Sequence, residues 1–167
     1  PVKKANTTLI GIIAIAIVVI LAIVFMFMSR GAKATVKDYV KAMEKGDSSK
    51  AINLMDVIGA GAFEYTKSDL AKFDEKYAEL KKDKEMQEKA KEFKKDYKDQ
   101  FKVDSSDLDM KVSVKNLKEE KVEGSKKLKK VTCTLKVKIG EYEDEKDDIE
   151  FYVVKDGLKH YIVSAGM

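Results

Sequence analysis

His160 is the side chain best suited to acid–base chemistry in this sequence. It is the single histidine of the chain, and histidine titrates near neutral pH. A general base also needs a proton-accepting geometry and an orienting partner, and no acidic residue lies directly beside His160 in the sequence. We favour a partly exposed strand residue, with a general base as the alternative, and we assign no catalytic residue.

Cys133 is the only cysteine, which excludes an intrachain disulfide and a cysteine-based zinc site. It alternates with Val131 and Leu135, so we expect a small buried core residue.

Two charged clusters raise the question of ion or lipid binding. The acidic cluster has oxygens that suit Ca²⁺, but its spacing does not match an EF-hand loop, so we favour a solvated hairpin loop and predict no metal. The basic cluster suits acidic lipid headgroups or wall polymers, although a charged hairpin end that resists edge pairing is the favoured interpretation. The acidic residues are Glu141, Glu143, Asp144, Glu145, Asp147 and Asp148, and the basic ones are Lys126, Lys127, Lys129 and Lys130.

Residues 59–62, Gly-Ala-Gly-Ala, superficially resemble half of a phosphate-binding loop. The third glycine, the Lys-Ser/Thr pair and a preceding strand are missing. We therefore interpret this segment as a flexible turn between helices.

Residues 9–28 form a run of twenty residues without a charged, amide or proline side chain. A helix of that length spans about 30 Å, the thickness of the hydrocarbon core of a bilayer. The run predicts a transmembrane helix in the cell membrane, preceded by a short tail (1–8) and followed by a connector (29–34) and one domain (35–167). A cleaved signal peptide is the rejected alternative, because its apolar region is shorter. We expect the C-terminal domain on the extracytoplasmic side, although lysines flank both ends of the run and leave the orientation open.

The charge balance argues against nucleic acid as a partner. Without Lys3 and Lys4, 31 of the 33 basic residues remain against 29 acidic ones, a net charge of about +2 that demands no polyanion. Of the remaining chain, about 135 residues can bury an adequate core.

The first part of the domain has helical periodicity. Val36, Tyr39, Val40 and Met43 predict a helix over 35–45 that ends at Gly46. Asp47 is the predicted cap of a second helix, which carries Ala51, Leu54, Met55 and Ile58 on one face.

A longer helical stretch follows, which Ser68 is expected to cap. A phase slip at 81–85 indicates a bend or two consecutive helices. The stretch carries a row of aromatic side chains for which we expect a core position, with a ligand pocket or partner groove as the alternative. The pocket candidates are Phe73, Tyr77, Phe93 and Tyr97.

From residue 108 the apolar period changes to two, which predicts half-buried strands. Residues 155–157, Lys-Asp-Gly, predict the turn of the last hairpin. The order of helices followed by an antiparallel meander predicts an α+β fold with helices packed on one face of a curved sheet.

The chain resembles a known protein family. Residues 36–55, the long helix and the terminal hairpin look like the NTF2-like (cystatin-like) superfamily, and more narrowly like the DUF4878-type membrane-anchored domains of Gram-positive bacteria. The resemblance implies a cone of helices over a bent sheet whose interior can hold a ligand. Family members often have Trp in the last strand, where this chain has Tyr161.

We therefore expect a single-pass membrane-anchored NTF2-like domain that acts as a non-catalytic binding or assembly module at the cell envelope, with no cofactor. Its expected partners are the bilayer and either another envelope protein or a small apolar ligand. One alternative is an anchored enzyme that uses the cavity. Another is an accessory subunit that docks into a larger complex through its transmembrane helix.

Overall fold

The computed structural model describes residues 31–100 and 109–166, and the part of the chain from residue 31 onward forms one compact unit. Helices come first and strands second. The helices are α1 (Ala32–Glu44), α2 (Ser48–Asn53), α3 (Val57–Thr66), a 3-10 turn (Leu70–Lys72), α4 (Phe73–Lys82) and α5 (Lys84–Gln100). The strands are β1 (Met110–Lys121), β2 (Leu128–Ile139), β3 (Tyr142–Asp156) and β4 (Lys159–Gly166), which form one antiparallel sheet in the order β1-β2-β3-β4.

The predicted fold class needs correction. The structure is α+β with a curved antiparallel sheet, but in residues 31–100 and 109–166 no helix is long and apolar enough to cross a membrane. The prediction of a fold that combines this sheet with a membrane-spanning helix was therefore wrong. The segment for which that helix was predicted, residues 9–28, lies outside the described residues.

The junction of α1 and α2 confirms two local predictions. Gly46 has a φ of +63°, as a glycine that ends a helix requires. The amide of Asp47 donates to the Ala42 carbonyl at 2.9 Å, and the Asp47 side chain accepts from the Lys50 amide at 3.0 Å. Helix α1 begins at Ala32, three residues earlier than predicted and inside the predicted connector.

The predicted second helix through Ile58 is wrong. Helix α2 ends at Asn53, because the next residues pair with the sheet: Leu54 O accepts from Ile162 N at 2.7 Å, and Asp56 N donates to Ile162 O at 2.9 Å. Asp56 then caps α3, its carboxylate accepting from the Gly59 amide at 2.8 Å.

The predicted flexible turn at 59–62 is also wrong, since these residues belong to α3. A Cβ on Gly59 would lie 2.6 Å from Val163 Cγ1. The glycine therefore serves close packing of the helix on β4 rather than chain reversal.

The phase slip at 81–85 is confirmed as two consecutive helices. Asp83 separates α4 from α5, and its carboxylate accepts from the Glu85 and Met86 amides. The predicted cap at Ser68 is wrong, because the stretch opens with the 3-10 turn, which has Asp69 at its N-cap.

The sheet bends where neighbouring strands are irregular. Register shifts occur between Lys115 and Lys118 of β1 and between Cys133 and Leu135 of β2. Asn116 and Asp148 have φ values of 54° and 56°, a conformation that short polar side chains tolerate better than others. Bulges of this kind increase local twist and bend the strand, in agreement with the curvature of the sheet.

Two apolar cores hold the helices on the sheet. The first lies between α1 and the strands and includes Val36, Val131 and Phe151. The second lies under α3 and α4 and includes Phe73, Tyr77 and Leu128.

Candidate functional site

An apolar groove lies between α1 and the sheet, at the edge of the first core. Its volume is about 540 Å³, within the range of small-molecule sites, roughly 300 to 1,000 Å³. Helix α1 contributes Tyr39, Val40 and Met43. The sheet contributes Met110, Val112, Leu135, Val137, Tyr142, Asp144, Lys146, Ile149, Phe151 and Ala165.

The groove follows from two sequence periods. Tyr39, Val40 and Met43 share one face of α1 at helical spacing. Val112 pairs with Val137 in the sheet, and the alternation of strand side chains places Leu135 on the same face as Val137. Toward the end of α1 this face is less covered, and Met43 is 45% exposed.

The ionisable side chains of the groove are Tyr39, Asp144 and Lys146. Asp144 and Lys146 are exposed and lie in the first half of β3, near its turn with β2. Burial, with a smaller contribution from Tyr97, raises the pKa of Tyr39, so its hydroxyl is uncharged at neutral pH. The groove thus offers aliphatic and aromatic walls with polar groups at one end.

The four predicted pocket residues separate into two pairs. Phe73 and Tyr77 stack with ring centroids 5.5 Å apart and are fully buried in the second core. Phe93 and Tyr97 contact each other on α5 at 6.1 Å, and Phe93 is 50% exposed. The described residues that line the groove include none of the four.

Sequence reasoning missed the residues that form the groove. Val112, Val137 and Tyr39 were assigned to strands and a helix, but only the register of β1 with β2 brings them to one place. The sequence did contain one signal for the groove. The apolar side of the strand segments is longer than helix α1, so α1 cannot cover all of it.

Polar and charged side chains surround Tyr77 at the edge of the second core. The Tyr77 hydroxyl donates to the Asp56 carboxylate, and Lys81 Nζ lies 2.7 Å from Asp156 Oδ2. Lys81 and Lys127 lie over the Tyr77 ring at 5.2 and 5.5 Å from its centroid. Burial and the hydrogen bond to Asp56 both raise the pKa of Tyr77, so this hydroxyl acts as a donor and does not serve as a base at neutral pH.

The raised pKa values of Tyr77 and Tyr39 predict a loss of stability in alkali. Above about pH 10 the unfolded chain releases tyrosine protons that the folded chain retains, so the free energy of unfolding falls as pH rises. Denaturant titrations of wild type and Tyr77→Phe between pH 8 and 11 will measure this slope. We expect a shallower slope for Tyr77→Phe, and equal slopes would contradict the assignment to Tyr77.

Most residues of the two charged clusters lie within strands, whereas Lys126, Lys127 and Glu141 lie in the turns between strands. The acidic residues 143–148 belong to β3 and not to a loop, so the predicted loop is wrong. In the described ranges no group of three His, Cys, Asp or Glu side chains is placed to hold a metal ion. Lys129 and Lys130 pair with Glu119 and Glu120 across the β1-β2 ladder.

His160 and Cys133 occupy structural positions. His160 is partly buried in β4, and its carbonyl faces the Thr35 hydroxyl at 3.5 Å. It does not belong to the described lining of the groove. Cys133 is 2% exposed in the first core, as predicted, and burial raises the pKa of its thiol.

The fold and groove define an α+β domain with an apolar concave site. No protein-family model matches this chain, and a search of curated proteins finds no match either. The resemblance to the NTF2-like superfamily and to DUF4878-type domains therefore stays a prediction from the sequence.

Proposed function

We propose that this protein is a non-catalytic binding module at the cell envelope and that the apolar groove between α1 and the sheet is its binding surface. The observation that carries the proposal is the groove itself, about 540 Å³ with walls that are mostly aliphatic and aromatic. The placement at the envelope rests on the sequence of residues 9–28 alone, which lie outside the described part of the chain.

The proposed occupant presents an apolar surface. Burying apolar surface contributes about 25 cal/mol per Å², and the exposed Met43 and Tyr142 side chains at the groove would lose water contact on binding. The polar end formed by Asp144 and Lys146 fits a ligand or peptide that is apolar along most of its length and polar at one end. The proposed partners are accordingly a small apolar ligand or an apolar segment of another envelope protein.

The enzyme alternative needs an acid–base pair in the groove. Tyr39 is uncharged there, and the carboxylate of Asp144 is exposed. Catalytic turnover by the wild type that is lost in the Tyr39→Phe or Asp144→Asn variant would favour the enzyme. Probe binding without turnover favours the binding module.

Fluorescence of an uncharged apolar probe, N-phenyl-1-naphthylamine, tests the proposal with residues 31–167. Val137→Lys places a charge on the groove wall, and we expect a dissociation constant at least about tenfold higher, which corresponds to about 1.4 kcal/mol. Thr132→Lys adds the same charge to the opposite face of the same strand and serves as the matched control. Equal loss in both variants, or no binding by the wild type, would contradict the proposal.

A further inference from the structure

Strand β3 is much longer than the strand beside it. It spans 15 residues, whereas β4 spans 8 and pairs with β3 only between Glu150 and Asp156. Residues 142–146 are paired with β2 on one side, residues 147 and 148 lie in the register shift of that pairing, and among the described residues no strand lies on the other side of 142–148. All seven of these residues are exposed, and they extend over about 24 Å at roughly 3.4 Å per residue.

Each of the other two edges of this sheet is bonded at one position by a segment from the helical part of the chain. The backbone of Leu54 and Asp56 bonds to Ile162 on the outer edge of β4. On the outer edge of β1, the Glu44 carboxylate accepts from the Val112 amide at 2.8 Å. An uncovered strand edge presents backbone donors and acceptors that can pair with another strand.

The alternation of the ladder identifies the backbone groups that face this edge. Ile139 and Tyr142 flank a two-residue turn and form the first pair of the β2-β3 hairpin. The residues that bond to β2 alternate from there, so Glu143 and Glu145 direct their amides and carbonyls outward. The Glu145 amide donates to the Asp144 carboxylate at 3.0 Å, in agreement with this direction.

The charges of the edge select the partner. Glu143 and Glu145 stand opposite Lys138 and Lys136 of β2, on the sheet face away from the groove, and Glu143 Oε1 already pairs with Lys136 Nζ at 2.5 Å while its side chain stays about half exposed. A strand on the open side of β3 would place its own side chains beside these carboxylates, and opposite charges across a strand pair are stabilising. A second copy of this chain would bring an acidic edge to an acidic edge, which is unfavourable.

The other face of the same strand would lie at the groove. Tyr142, Asp144 and Lys146 line the groove, as does Ala165 of β4. A strand that continues the line of β4 along β3 would present every second side chain to this apolar surface, as Ala165 does.

We propose that the uncovered edge of β3, residues 142–148, binds an extended segment of a partner protein in which basic and apolar residues alternate. The apolar residues enter the groove and the basic residues meet Glu143 and Glu145. This inference rests on the proposed function, because the same groove receives the apolar side chains, and it names the class of partner.

Amide hydrogen exchange of the full chain in a zwitterionic detergent tests the proposal. The probe is an eight-residue peptide, acetylated and amidated, of alternating lysine and valine. At about 90% occupancy we expect the Glu143 and Glu145 amides to exchange about tenfold more slowly. A peptide with four lysines followed by four valines has the same composition, and it should give no protection.

Variants at Glu145 separate backbone pairing from charge. Glu145→Pro removes the outward amide and leaves the β2-β3 ladder intact, and Glu145→Ala removes only the charge. We expect the peptide to bind Glu145→Pro at least about tenfold more weakly than Glu145→Ala. A peptide N-methylated at every second amide blocks pairing without changing the protein and should also fail to bind.

Four results would overturn the proposal. They are protection by both peptides, equal binding to both variants, protection of the edge in the full chain without any peptide, and protection that rises with protein concentration alone. If N-phenyl-1-naphthylamine still binds the groove when the alternating peptide fails, the edge inference is wrong and the proposed function stands. If neither binds, both are wrong.

Discussion

Replacing Gly124 with alanine is expected to lower the free energy of unfolding by about 2 to 5 kcal/mol. Gly124 has a φ of +80°, and an added Cβ would lie 2.5 Å from Ala71 Cβ and 2.9 Å from Ala71 Cα. The left-handed backbone costs an L residue about 1 to 2 kcal/mol, and overpacking costs about 1 to 3 kcal/mol more. Because one of the opposing atoms belongs to the backbone, a change of rotamer cannot relieve the contact.

Gly157→Ala is the matched control for Gly124→Ala. Gly157 has a similar φ of +62°, but nothing lies within 4 Å of an added Cβ. We expect only the backbone cost, about 1 to 2 kcal/mol, in a urea titration of residues 31–167. Equal losses in the two variants would contradict the close approach of the β1-β2 turn to the 3-10 turn.

Asp56→Ala is expected to lower the free energy of unfolding by about 1.5 to 5 kcal/mol. Asp56 caps α3 through the Gly59 amide, and a lost cap costs about 0.5 to 2 kcal/mol. It also accepts from the hydroxyl of the fully buried Tyr77, and a buried donor without its acceptor costs about 1 to 3 kcal/mol.

A double-mutant cycle with Tyr77→Phe isolates the shared hydrogen bond. We expect the double variant to lose less stability than the sum of the single variants, with a coupling of about 0.5 to 3 kcal/mol. Asp69→Ala is the control, because Asp69 occupies the N-cap of the 3-10 turn without a side-chain capping bond. Additive effects of Asp56→Ala and Tyr77→Phe would contradict the link between α3 and α4.

The sequence predicted the local structure correctly where contacts between neighbouring residues determine it. Gly46 and Asp47 end and begin helices through contacts within a few residues. The break at Asp83 follows from the change of helical phase on either side of it. The strand segments and the turn at Gly157, with φ of +62°, follow from the period of two and from glycine's access to positive φ.

The errors arose where a distant strand determined the local structure. Residues 54–56 have helical periodicity, but their backbone pairs with Ile162, more than a hundred residues later. Gly59 and Gly61 have the composition of a turn, yet both lie in a helix, and the close packing of α3 on Val163 requires a small residue at Gly59. Such contacts cannot be read from a single segment.

The candidate site depended on register and was therefore the least predictable part. The aromatic row was a correct guide to the second core at Phe73 and Tyr77. It did not indicate the groove, whose walls come from α1 and all four strands. A one-residue change of register would move Val137 to the opposite face of the sheet, so the site exists only once the pairing is known.

The most direct test of the proposed binding surface is the position of an apolar probe on the protein. Intermolecular nuclear Overhauser effects between N-phenyl-1-naphthylamine and methyl-labelled residues 31–167 will give that position. We predict contacts to the methyl groups of Val112, Leu135 and Val137. Contacts confined to other surfaces, or no contacts at a probe concentration that saturates the fluorescence, would contradict the assignment of the groove as the binding site.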